Sequence, residues 1–143
     1  MVENVDSAHH LVRYVGKNRL RRDEDGRVIG LLPQAFFLRD NEQYLSSSHL
    51  EYQYGSYHQQ IVMTIECFRT QLKVHKRDAF AIGNAGRIRS TCIASSQRIR
   101  LLHEPKDGQP AYIAVRNYRD DPELCELLAT EGWAEFVISE HFE

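Results

Sequence analysis

The residues that most suggest chemistry lie around a pair of glycines near the middle of the chain. Gly83, Asn84 and Gly86 follow a short apolar run and precede Arg87 and Arg89. Glycine lets another backbone or a phosphate approach closely, and a helix that starts here would present unpaired N–H groups beside two guanidinium groups. The pattern therefore predicts an anion site. With two arginines from the following strand, the candidate residues are Gly83, Asn84, Gly86, Arg87, Arg89, Arg98 and Arg100.

The stretch from Ile82 to Arg87, followed by a helix and the strand Arg98-Ile99-Arg100-Leu101, resembles the core of a KH domain. That family uses a GxxG loop between two helices to clamp a nucleic-acid backbone. The resemblance covers only this central unit and implies RNA or single-stranded DNA as a partner. The segment that enters the loop has a strand pattern, whereas the KH family has a helix there. A strand-to-helix turn with surface arginines is the alternative interpretation.

A second group consists of Arg13, Ser46 and Glu135, each on or beside a different predicted strand. Arginine can bind a pyrophosphate through two hydrogen bonds, and a carboxylate can stabilise a positively charged, sugar-like transition state. Their order resembles the Arg-Ser-Glu layout of ADP-ribosyltransferases, which implies NAD as a substrate. Trp133 stands where that family has Glu or Gln, two residues before the catalytic Glu. Purely structural roles for all three residues are the alternative.

Three tyrosines, Tyr52, Tyr54 and Tyr57, follow one another closely. Tyrosine commonly anchors protein interfaces, so they predict an exposed aromatic surface that binds a protein partner. Packing against the sheet edge and a helix is the alternative. We favour an accessory domain that binds a protein partner and has no catalysis of its own, because the chain has no P-loop, GxSxG, HExxH or SxxK motif.

The histidines and cysteines predict neither a metal nor a cofactor. His103 precedes Glu104, but no two of the histidines have ligand spacing on a shared helix. The three cysteines, Cys67, Cys92 and Cys125, are widely spaced and lack a CxxC pair. They are typical of reduced thiols in a cytoplasmic protein.

The 143 residues carry a net charge of −2 and a hydrophobic fraction of 42%, which is typical of a single globular domain. The polar N-terminus predicts no secretory signal and a flexible tail over residues 1–7. No apolar run approaches the length of a membrane helix. The clearest elements are a strand over His10–Val15, an amphipathic helix over Ser56–Leu72 and a helix capped by Asp121-Pro122. They predict an α+β fold, with about three helices on a small, mainly antiparallel sheet.

Overall fold

A computed structural model describes residues 3–142. Its main feature is a seven-stranded sheet in which every pair of neighbouring strands is antiparallel. A separate two-stranded hairpin lies beside it. The strands are β1 (Glu3–Asn4), β2 (His10–Val15), β3 (Leu20–Arg22), β4 (Val28–Leu31), β5 (Leu45–His49), β6 (Ala79–Asn84), β7 (Arg100–His103), β8 (Tyr112–Arg116) and β9 (Glu135–Ile138). The order in the large sheet is β1-β7-β8-β5-β2-β6-β9, and β3 and β4 form the hairpin.

Three α-helices complete the fold and confirm the predicted α+β class. They are α1 (Tyr57–Gln71), α2 (Ala85–Ala94) and α3 (Pro122–Leu127), and α3 continues into a π-helical turn over Leu128–Gly132. The first helix has the expected start, because the Ser56 side chain accepts a hydrogen bond from the Gln59 N–H and the Gln59 side-chain oxygen accepts one from the Ser56 N–H. No helix in residues 3–142 is long and apolar enough to cross a membrane.

The two faces of the sheet carry separate cores. On one face, Leu11, Val15 and Leu101 pack with side chains of α2, α3 and the 3-10 turn Pro33–Phe36. On the other face, α1 packs Ile61 and Ile65 against a smaller set of side chains from β2, β6 and the turn after β5: Val12, Phe80, Ile82 and Leu50. Since α1 covers the β2 and β6 side, the same face of β5 and β8 is free to form the floor of a cleft.

Two predicted boundaries are corrected. The flexible tail expected over residues 1–7 is ordered from residue 3, because β1 pairs with β7 and Val5 is buried; residues 1 and 2 lie outside the described part of the chain. The alternating pattern from His49 to Tyr54 predicts a strand, but β5 ends at His49 and Leu50–Tyr52 forms a 3-10 turn. Apolar and polar residues alternate there without a pairing strand, whereas the serine-rich β5 pairs on both sides.

The glycine-flanked segment contains no separate loop. Strand β6 includes Gly83 and Asn84, and α2 begins at Ala85 with the Asn84 side chain as its cap. Gly83 is buried, and a Cβ atom built on it would lie 2.8 Å from the Gly132 carbonyl oxygen and 2.9 Å from a ring carbon of Trp133. The absence of a side chain therefore lets the sheet pack directly against the end of the π-helical turn.

Replacing Gly83 with alanine should lower the free energy of unfolding by about 1–3 kcal/mol, because backbone and the Trp133 ring would have to move. Urea unfolding followed by the fluorescence of Trp133, the single tryptophan, measures the change. Gly16→Ala is the matched control, since no atom lies within 4 Å of its added Cβ. Equal stability of the two variants would show that the Gly83 contact is not tight.

Candidate functional site

The N-terminus of α2, where the KH-like loop was expected, has no free amide for an anion. The Ala85 N–H donates to the His9 carbonyl at 2.8 Å, and the Gly86 N–H donates to the Ser7 carbonyl at 3.0 Å. The Arg87 N–H donates to the Asn84 side chain at 3.0 Å. The N-terminal segment and the cap thus occupy the amides that the prediction had assigned to a phosphate.

The arginines assigned to that site do not gather. Arg87 is exposed, while the Arg89 guanidinium donates to the Ser7 hydroxyl and the Val5 carbonyl. Arg98 and Arg100 lie beyond the far end of α2. Strand β7 is four strand spacings from β6, which at about 4.8 Å per strand is roughly 19 Å. The structure therefore does not bring the candidate nucleic-acid-binding residues together.

Arg13 and Glu135 lie on opposite faces of the sheet. Val12, Ile82 and Glu135 are paired neighbours and share one face, whereas Arg13, Ala81 and Phe136 share the other. The two side chains therefore cannot converge on one NAD molecule. Ser46 is close to Arg13 only through its backbone, whose carbonyl accepts from the guanidinium at 2.9 Å.

Arg13 is instead the centre of a buried ion pair. Its side chain is 1% exposed and makes two hydrogen bonds to the Glu42 carboxylate, at 2.9 and 3.1 Å. It also donates to the carbonyls of Ala35 and Ser46, both at 2.9 Å. Burial alone would raise the pKa of Glu42, but the hydrogen bonds and charge of Arg13 outweigh it and lower that pKa to about 2. The carboxylate is therefore ionised at neutral pH.

A cavity of about 520 Å³, here called the central cleft, opens over β5 and β8 beside the C-terminal half of α1. The Ser46 hydroxyl lies 3.1 Å from the Tyr112 hydroxyl on its floor. The Lys106 ammonium lies 3.9 Å from the centre of the Tyr112 ring. The other lining residues include Tyr14, Arg39, Ser48, Tyr52, Gln53, Phe68 and Gln71. Hydroxyls, aromatic rings and two cations thus meet on the middle strands of a sheet.

Arg39 gives the cleft its charge. Its guanidinium donates to the Tyr14 carbonyl at 2.6 Å, but no carboxylate in residues 3–142 forms an ion pair with it. Burial and the nearby positive charge of Arg13 lower the pKa of Arg39 to about 10, which still leaves it charged at pH 7. The Tyr14 hydroxyl already donates a hydrogen bond to the Asp78 carboxylate at 2.5 Å. Burial, followed by that hydrogen bond, raises the pKa of Tyr14.

A second depression of about 600 Å³ lies along β9, with Arg22, Arg27 and Arg77 on its rim and Phe136 and Phe142 among its apolar residues. Its three arginines are all exposed. None of its lining residues is a half-buried cation like Arg39, which is why the central cleft is the stronger candidate.

The three predicted interface tyrosines are exposed, with fractions of 42% for Tyr52, 89% for Tyr54 and 44% for Tyr57. Tyr54 extends freely into solvent, whereas the other two have neighbours. The Tyr52 ring lies 5.8 Å from the His103 ring, and the Tyr57 hydroxyl donates to Glu135. Burial, together with that bond, raises the pKa of Tyr57.

Sequence reasoning missed a histidine cluster at one end of the sheet. His9 Nδ1 lies 2.9 Å from His49 Nε2, and Glu51 Oε1 lies 3.9 Å from the same His49 atom. The His103 ring is 5.5 Å from the His49 ring. Burial and the neighbouring His9 lower the pKa of His49 to about 4, so its imidazole is neutral at pH 7. These residues come from separate segments, so no spacing along the chain signalled them.

The fold and the cleft define an α+β protein with an antiparallel sheet and a polar, positively charged cavity on one face. Comparison with known proteins adds no closer assignment. No protein-family model matches the sequence, and neither a curated protein nor a solved structure matches it.

The Arg13–Glu42 pair makes stability depend on pH in acid. The folded-state pKa of Glu42, about 2, is below its ordinary value of 4.5, so the unfolded chain binds the proton first as the pH falls. The contribution is full above pH 4.5 and is lost between pH 4.5 and 2; it amounts to about 3 kcal/mol. Urea unfolding at a series of pH values should show this loss.

Glu42→Gln should be less stable at pH 7, because it leaves the buried Arg13 charge without its counter-ion. It should also lose stability less steeply than the wild type below pH 4.5. Glu24→Gln, at an exposed position, is the control and should follow the wild type. A Glu42→Gln variant with the wild-type pH profile would contradict the assignment of the acid sensitivity to this pair.

Proposed function

We propose that the protein binds a small anionic organic molecule in the central cleft. The observation that carries the proposal is the half-buried Arg39 guanidinium, which lines the cleft and has no carboxylate partner in residues 3–142. A buried cation without a counter-ion is costly, and an anionic ligand would offset that cost. A phosphate or carboxylate can also accept two parallel hydrogen bonds from a guanidinium.

The remaining lining favours a ligand with a neutral polar or aromatic part. The Tyr52, Phe68 and Tyr112 side chains offer ring surfaces, while the Ser46 and Tyr112 hydroxyls can donate and accept hydrogen bonds. The volume of about 520 Å³ falls within the usual range for small-molecule sites. Nucleotides, including the NAD implied by the ADP-ribosyltransferase resemblance, have this combination of anion and ring.

The proposed activity is binding without a chemical step. Glu135, the carboxylate that the ADP-ribosyltransferase resemblance would use, hydrogen-bonds to Tyr57 and is not part of the cleft lining. Glu42 does line the cleft, but both of its oxygens are engaged by Arg13. This arrangement supports a ligand-dependent accessory or sensing protein.

Isothermal titration with AMP, NAD and uncharged adenosine tests the proposal. At least one of the two phosphorylated ligands should bind at least tenfold more tightly than adenosine. Arg39→Gln should weaken that binding about 10- to 100-fold, the value of one or two charge-assisted hydrogen bonds. Arg98→Gln, at an exposed arginine outside the cleft lining, should bind as the wild type does. Equal binding by Arg39→Gln and wild type, or no preference for the phosphorylated ligands, would refute the proposal.

A second candidate function is the predicted association with a protein partner, and the 89% exposure of Tyr54 supports it. An exposed tyrosine offers apolar area and a hydroxyl at low entropic cost to an interface. Tyr54→Ser should leave thermal stability unchanged and abolish retention of a specific partner on the immobilised protein. Leu127→Ser, at an exposed residue of α3, is the control. A partner retained equally by both variants would place the interface elsewhere.

A further inference from the structure

We propose that His9, His49 and Glu51 form a binding site for a divalent transition-metal ion of the zinc, cobalt or nickel type. The three residues each offer one ligand atom, and these atoms all lie within 4.8 Å of one another. Two imidazoles and one carboxylate are a donor set that suits this group of ions. The proposed metal site is separate from the central cleft, because none of its three ligands lines that cleft.

The histidine nitrogens already have a separation close to that of two ligands on one ion. His9 Nδ1 and His49 Nε2 are 2.9 Å apart. With metal–nitrogen bonds of about 2.0–2.1 Å, two ligands at right angles would be about 2.9 Å apart, and two at a tetrahedral angle about 3.3 Å apart. The Glu51 oxygen is 3.9 Å from His49 Nε2, and the Glu51 ligand atom lies within 4.8 Å of the His9 one, so the carboxylate would need to approach the two nitrogens by roughly 0.6 to 1.5 Å.

The carboxylate is held in place by a neighbour that is not itself a ligand. The backbone N–H of His10 donates to Glu51 Oε1 at 2.7 Å, and the His10 ring nitrogen Nδ1 lies 2.6 Å from Glu51 Oε2. Hydrogen bonds of this kind orient the ligands of metal sites. Each Glu51 oxygen keeps a further lone pair, so these bonds leave Oε1 able to coordinate an ion.

The two histidines are anchored through their backbones and can present the required lone pairs. The His9 N–H donates to the Asp6 carbonyl at 2.9 Å, and the His49 N–H donates to the Ala111 carbonyl at 2.8 Å. His49 Nδ1 is buried and has no hydrogen-bond partner in residues 3–142, so the tautomer of this ring is coupled to that of His9 through the contact between His9 Nδ1 and His49 Nε2. A proton on Nδ1 frees Nε2 for a metal. Because three protein ligands leave coordination positions for water, the site is of the open type.

The test is a titration of the protein, prepared without a polyhistidine tag, with Co²⁺. Visible d–d absorption should appear and saturate at one ion per chain, and Zn²⁺ should displace it. His9→Gln, His49→Gln and Glu51→Gln should each weaken Co²⁺ binding at least tenfold. His75→Gln and His141→Gln, at exposed histidines outside the cluster, should bind as the wild type does.

His9→Gln is the decisive variant, since His9 is half-exposed on a turn and its backbone bonds remain in the variant. Circular dichroism and urea unfolding establish that it folds. The proposal is overturned if the wild type shows no saturable Co²⁺ spectrum. It is equally overturned if folded His9→Gln binds Co²⁺ as tightly as the wild type, or if the control variants lose binding to the same extent.

Discussion

Arg13 is a permanently charged side chain that is 1% exposed near the middle of a seven-stranded sheet. Because a buried guanidinium must be hydrogen-bonded, the segments around it are arranged to supply its acceptors. The guanidinium reaches the carbonyls of Ala35 and Ser46 and both oxygens of Glu42. Glu42 in turn accepts the backbone N–H groups of Arg39 and Ser46. Strand β2, the 3-10 turn after β4 and the start of β5 are therefore fixed to one another by a single polar network.

This network also explains why the central cleft is positively charged. Glu42 is the carboxylate whose charge acts on Arg39, but Arg13 engages both of its oxygens. In residues 3–142, the Arg39 side chain donates a hydrogen bond to one acceptor only, the backbone carbonyl of Tyr14. Because Arg13 engages both oxygens of Glu42, that carboxylate acts on Arg39 through its charge and forms no ion pair with it, so the guanidinium of Arg39 keeps the cleft positively charged.

Much of the fold could be predicted because the signals for it lie within a few residues of one another. Ser56 and Gln59 form a capping box within four residues. At the start of α3, the Asp121 side chain accepts hydrogen bonds from the N–H groups of Glu123 and Leu124. The period-two pattern of His10–Val15 placed Arg13 and Tyr14 on opposite faces, as the structure has them. The strand of this region was predicted at His49 to Tyr54 and lies at Leu45–His49, because β5 is stabilised by pairing with β2 and β8, which are far away in sequence.

The candidate sites were harder to predict, since both depend on contacts between distant segments. The glycines at 83 and 86 predicted a phosphate loop, but Gly83 is needed for packing against Gly132 and the amides are bound by Ser7 and His9. Sequence alone could not show that an N-terminal segment expected to be a tail would occupy that helix start. No sequence motif marked Arg39, because what distinguishes it is the lack of an ion-pair partner in residues 3–142, which only the structure shows.

The cleft and the histidine cluster are separated by only two aromatic rings. Tyr52 lines the cleft, its ring is 5.8 Å from His103, and His103 is 5.5 Å from His49. An ion bound by His49 would hold that ring, and the ring contacts of His103 continue from it to Tyr52 in the cleft lining. Any such coupling would be reciprocal, because a ligand that orders Tyr52 must favour the metal to the same degree. The ring contacts at this end of the sheet therefore connect the two proposed sites in space.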